Sequence, residues 1–207
     1  MINISNQEAT EILISVIAIS LALSLNSMGV GEAFSDVPYF VQLASFFLIV
    51  VGTGFVLHEL AHKFTAIYFG HLAQFRMWTQ GLMLMGILAV LPTRFMFIAP
   101  GAVYIRGWGR QITREENGII SAAGPAMNLL IALCAIIAYV FVGPLAMEVG
   151  SAGAQVELLS SLAWINVFLG LFNMIPIFPL DGSKIWAWSP VVYVLLGGIL
   201  AVLFFTV

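Results

Sequence analysis

Charge is what this chain has least of. Asp, Glu, Lys and Arg make up 8% of its 207 residues and apolar side chains 61%, whereas a soluble domain is about a quarter charged. No stretch of ordinary polar composition is long enough to fold by itself, which argues against a large soluble appendage. Cations number seven, and no nucleic-acid partner is expected. The lone cysteine, Cys134, rules out an internal disulfide; it lies mid-span in an apolar run and reads as a small buried hydrophobe. No internal repeat is evident, which counts against a transporter built from duplicated halves. Glu8 and Glu11, and no Lys or Arg, precede the first apolar run. Residues 12–28 therefore read as a retained membrane helix and not as a secretory signal.

Long apolar runs are what the chain has in plenty. A helix needs roughly 20 apolar residues to cross a bilayer, and residues 11–29, 39–69, 117–143, 156–176 and 188–207 all offer them. The expected fold is an all-α membrane protein, a polytopic bundle of about five to six transmembrane helices in a single membrane-embedded domain over 1–207. Its core spans about 39–188, with an extra N-terminal helix at 11–29 and a C-terminal one at 188–207. Residues 77–105 are apolar but interrupted by Pro92-Thr93-Arg94. They read as a short re-entrant hairpin, helical or β, whose backbone must be covered by protein or water.

Charge placement gives an orientation. If the helix at 39–69 runs from outside to inside, the inner side receives Lys63, Arg76, Arg106, Arg110, Arg114 and Lys184. The opposite loops then carry Glu32, Asp36, Glu148 and Glu157. That bias marks the inner side as cytoplasmic. Tyr39, Tyr68, Trp78, Tyr104, Trp108, Trp186 and Trp188 fall near the ends of the spans, as an interfacial aromatic belt does.

Within the helix at 39–69, His58-Glu59-Leu60-Ala61-His62 ends a run that carries no charged side chain from Phe40 to Leu57. Ionisable groups at membrane depth are costly and mark function. Residues four apart share a helix face, so His58 and His62 can reach one zinc ion. Glu59, about 100° round the helix, lies beside the metal and can act as general base towards water. Catalytic zinc takes a third protein ligand. Cys134, Glu115, Glu116 and His71 are candidates, but Asp181 is favoured. It follows Asn173-Met174-Ile175-Pro176-Ile177-Phe178-Pro179-Leu180, where two prolines three apart cannot continue a helix, and an unwound span with a carboxylate suits a cavity holding metal. Zinc with Asp181 and Glu59 ionised sums to zero net charge, which avoids an isolated charge in a low dielectric.

Three motifs then stand in order: His58-Glu59-Leu60-Ala61-His62, Gly124-Pro125-Ala126-Met127-Asn128, and Asn173 through Gly182. In these the chain resembles the site-2 protease family of intramembrane zinc metalloproteases. The resemblance spans 58–182 and implies one Zn2+ per chain on His58, His62 and Asp181, with Glu59 as general base. It also implies that Asn173 holds the scissile carbonyl or its developing oxyanion, and that Asn128 and a helix break at Gly124-Pro125 shape the cavity. The implied substrate is a transmembrane helix of another protein, unwound locally in the bilayer, with water entering from the cytoplasmic side. Ser183 stands where the family often has a second glycine, and no PDZ-like insertion or C-terminal regulatory module is read in the chain. The competing readings are a zinc transporter, for which three histidines and two aspartates are few, and a non-catalytic relative that binds membrane proteins.

Overall fold

A computed structural model describes residues 4–92, 96, 98–149 and 152–207. Arg94, at the tip of the expected hairpin, lies outside the described residues. In chain order the elements are α1 (Asn6–Met28), α2 (Val30–Ser35), α3 (Val37–Tyr68), β1 (Leu72–Met77), α4 (Thr79–Val90), β2 (Gly101–Arg106), α5 (Arg114–Val149), α6 (Ala152–Asn173), α7 (Asp181–Trp188) and α8 (Pro190–Thr206). Helices α1, α3, α5 and α6 are long and apolar enough to cross a membrane; the chain is an integral membrane protein. Helix α8 is apolar but 17 residues long, about 26 Å at 1.5 Å per residue, and falls short of a hydrocarbon core of about 30 Å.

The chain divides into two compact units, Met1–Val56 with Ala73–Tyr104, and Leu57–Leu72 with Ile105–Val207. In the first, α1 and α3 approach closely at Gly52, where a Cβ would stand 2.8 Å from the Val16 side chain. Residues 77–105 differ from the expected hairpin. The sheet begins earlier, at Leu72, and β1 and β2 are joined through helix α4. The Trp78 N–H donates to Pro100 O at 2.8 Å; the end of β1 thus meets the start of β2, and the pair runs antiparallel. Helix α4 turns tightly onto the segment before β2 because Gly81 has no side chain: a Cβ there would lie 2.3 Å from Ala99 O.

The free edge of β1 is closed by α1. Phe75 N–H donates to Glu8 Oε1 and Met77 N–H to Glu11 Oε2, each at 3.0 Å. Glu11 Oε1 also accepts from Gln7 and Arg76. The two carboxylates at the front of α1, which in sequence only marked the lack of a basic segment, thereby satisfy alternate donors of an edge strand that would otherwise seek another chain.

In the second unit α5, α6, α7 and α8 pack around Met174, Ile185 and Leu200. Helix α5 runs unbroken through Gly124-Pro125, so the expected break is absent; membrane helices tolerate an internal proline because neighbouring groups satisfy the freed carbonyl. The sequence reading is corrected at Cys134 and His71, and Lys63 is more enclosed than an inner-face cation suggests. Cys134 is exposed on α5, where an apolar side chain faces hydrocarbon at no cost. Lys63, counted among the inner-face cations, is 1% exposed. His71, expected in an interfacial loop, is buried, with Nε2 3.3 Å from Glu116 Oε2.

Candidate metal centre

Helix α3 has turned fully helical long before residue 58, so His58 and His62 stand one turn apart on one face. Their rings pack edge to face, and the two Nε2 atoms lie 3.0 Å apart. Asp181 Oδ2 completes a triangle, 3.4 Å from His58 Nε2 and 3.1 Å from His62 Nε2. All three residues are buried and belong to the second unit. Zinc bonds to nitrogen and carboxylate oxygen of about 2.0–2.2 Å place neighbouring ligands of a tetrahedron about 3.3–3.6 Å apart. The observed sides fit three such ligands with only a slight opening.

The ring orientation leaves the right lone pairs free. His62 Nδ1 is 2.7 Å from Ile120 O, a carbonyl that can only accept, so Nδ1 carries the proton and Nε2 the lone pair. His58 Nδ1 lies 2.6 Å from Asn128 Oδ1 on α5. Second partners of this kind orient metal-binding imidazoles and raise their basicity. The space between the imidazoles and α5 depends on Gly124. A Cβ at that position would stand 2.5 Å from His62 Nε2 and 2.6 Å from His58 Nε2 and Cε1. Its neighbour Pro125 is buried within α5. Gly124 therefore shapes the site by having no side chain, and not by breaking its helix.

Asp181 is the first residue of α7 and projects from the positive end of that helix. The preceding residues 174–180 form no helix, as the two prolines require. That segment folds back over α7 because Gly182 allows it: a Cβ there would meet Met174 O at 2.1 Å. Lys184 Nζ lies 3.4 Å from Asp181 Oδ1, which leaves Oδ2 for the imidazoles.

Glu59 is buried next to His58 on α3. Asn173 ends α6, half-buried, with one amide hydrogen donated to Leu169 O at 3.0 Å. The other candidates for a third ligand do not join His58 and His62. Glu116 accepts from Arg110 and from Thr113 N–H in the first turn of α5, His71 faces Glu116, and Cys134 is exposed. Among the described residues His58, His62 and Asp181 form the one cluster of this type. Two contributors escaped the sequence reading. Lys184 was counted only as an inner-face charge. Asn166 on α6, wholly buried, accepts from Asn128 Nδ2 at 2.9 Å; an isolated amide in an apolar helix gives no sign of which helix it faces.

Known proteins are similar to this chain in sequence. Residues 141–189 match the model of peptidase family M50. Over 194 residues, 93% of this chain and 90% of the relative, the chain is 36% identical to a protein of Methanocaldococcus jannaschii named as a candidate zinc metalloprotease. The chain belongs to peptidase family M50. A second relative in sequence, a Bacillus subtilis protein also named as a candidate zinc metalloprotease, is 28% identical over 165 residues, 71% of this chain and 70% of its own length. No solved structure matches. Membership agrees with the resemblance to the site-2 protease family carried by the three motifs, and the matched region includes the 174–180 segment and Asp181.

Proposed function

We propose that this M50 protein is an intramembrane zinc endopeptidase that hydrolyses peptide bonds in transmembrane segments of other membrane proteins. The observation that carries the reading is the triangle of His58 Nε2, His62 Nε2 and Asp181 Oδ2, its sides 3.0–3.4 Å, buried in a chain of membrane-length helices. One Zn2+ per chain is held by these residues, since the described residues hold no second such cluster; a transport path would need several.

Zinc, when bound, supplies Lewis acidity that acidifies water and polarises a carbonyl. The chain's own residues do the rest. His58 and His62 keep their Nδ1 protons on Asn128 and Ile120 and so present unprotonated Nε2 atoms. A Glu59 carboxylate oxygen takes a proton from water and passes it to the nitrogen of the scissile amide. Asn173 has one amide hydrogen beyond the one given to Leu169, and it donates to the scissile carbonyl oxygen as negative charge develops there. A substrate helix hides its carbonyls in its own hydrogen bonds, so it must unwind locally, and helix-weakening residues near the cut are favoured. The site opens towards the cytoplasmic side, the face given by the cation bias.

The test uses detergent-purified protein and a model transmembrane substrate. Parent protein is expected to hold about one zinc and cut the substrate, and Glu59→Gln to hold zinc and not cut. Cleavage by Glu59→Gln at the parent rate would overturn the mechanism. Zinc flux into sealed proteoliposomes that survives Glu59→Gln would point to transport instead.

A further inference from the structure

We infer that Lys184 is a positioning residue that keeps Asp181 a one-oxygen ligand, and so keeps a fourth place on the metal open. The inference rests on the zinc reading of His58, His62 and Asp181. The two oxygens of the Asp181 carboxylate face different partners. Oδ2 lies 3.4 Å from His58 Nε2 and 3.1 Å from His62 Nε2, whereas Oδ1 lies 3.4 Å from Lys184 Nζ. Among the described residues, Lys184 is the one side chain that donates to Oδ1.

Carboxylates bind metal ions through one oxygen or through both. Asp181 by itself cannot choose between the two modes, because its oxygens are chemically alike. The choice falls to whatever engages the second oxygen. Lys184 stands three residues beyond Asp181 on α7, and side chains on a helix lean towards its N-terminus. The ammonium is therefore brought back over the residue that begins the helix. A hydrogen bond from a cation draws electron density from Oδ1 and makes it the poorer donor, while Oδ2 stays turned to the imidazoles. Catalytic zinc sites combine three protein ligands with one place for water. Chelation by both oxygens would fill that place with a protein atom.

The burial of the pair suits this role. The Asp181 side chain is 10% exposed and that of Lys184 32%, so the carboxylate is held inside while the cation reaches it from a wetter edge. A lysine can do this readily, since its stem packs on apolar surface and its head stays hydrated. A pair wholly in water would leave the carboxylate free to turn.

The test uses the whole chain in detergent, loaded with Co2+, which has a visible band where d10 zinc has none. Imidazole is the probe of the open place, because it is neutral and the lysine charge does not draw it in. Lys184→Met keeps the stem and removes the ammonium. Its imidazole binding, read from the Co2+ band, is expected to weaken at least about tenfold. Its Co2+ affinity by chelator competition is expected to equal or exceed the parent's, since an oxygen is gained as ligand and a nearby cation is lost. Lys184→Arg, which keeps a charged donor, is expected to stay within about twofold of the parent on both readings. Imidazole binding weakened by less than about tenfold in Lys184→Met would overturn the inference. So would a joint loss of imidazole and Co2+ binding, as a packing role gives, or a Lys184→Arg that behaves like Lys184→Met. Where Lys184→Met does not fold, Lys184→Leu makes the same comparison. Asp181→Ala separates the two levels: Co2+ uptake by the parent that is lost in Asp181→Ala upholds the metal site even where Lys184 proves idle, and equal uptake by the two refutes the site itself.

Discussion

Gly124 shows how much a single missing side chain can decide. Alanine is favoured over glycine in a helix interior by about 1 kcal/mol, so Gly124→Ala should leave α5 at least as helical. Its Cβ nevertheless falls 2.5–2.6 Å from both imidazoles. Zinc content of purified Gly124→Ala is expected to drop at least tenfold while helical circular dichroism is unchanged. Lys184 acts more gently, through the Asp181 oxygen that is not turned to the histidines. At this scale the paired histidines were legible because a spacing of four has one meaning on a helix, and Asp181 because two prolines unwound the chain ahead of it. Gly124 stood out only as part of a motif, and its reason, the clearance beneath two imidazoles, is visible only once α3 and α5 are in contact. Asn166 was illegible for a related cause: hydrogen bonding between helices leaves no periodicity in the sequence of either.

Among the elements, β1 depends on α1 in a way that composition does not suggest. Removing the Glu8 carboxylate strands the buried Phe75 N–H, and an unsatisfied buried donor costs about 1–3 kcal/mol. Glu8→Ala is expected to lower the melting midpoint in detergent by several degrees. Glu8→Gln, which retains an accepting oxygen, should recover most of the loss. Equal melting of Glu8→Ala and the parent would show that the edge of β1 needs no acceptor from α1. The long helices were readable because 20 or more apolar residues in a row have few alternatives. The segment from 72 to 106 was not, since its pieces are short enough for either strand or helix, and the choice is made by partners such as Glu8, Glu11 and Ala99.

For the whole molecule, the distribution of charge predicts orientation. Gln111 lies in the basic stretch between β2 and α5 and Ser35 in the acidic stretch before α3; both are exposed. With Cys134 replaced by serine, a membrane-impermeant thiol reagent should label Ser35→Cys in intact cells and Gln111→Cys only after the membrane is opened. The reverse pattern would invert the topology. Six of the seven belt aromatics fit an interfacial role, Tyr39, Tyr68, Trp78, Tyr104, Trp108 and Trp186 being exposed. Trp188 departs from the belt: it packs onto Gly118 of α5, where a Cβ would stand 2.2 Å away. A tryptophan near a span's end looks the same in sequence whether it faces lipid headgroups or a glycine, and only the neighbouring helix distinguishes them.

The donor triangle joins α3 to α7, two elements far apart along the chain and tied by no covalent bridge. An ion seated there is a clasp as well as a reagent. Free zinc at 100 times its dissociation constant adds about 2.7 kcal/mol to the folded state by mass action. A chelator should therefore soften the protein before any question of turnover arises, with the seven residues ahead of Asp181 the first to become open to proteolysis.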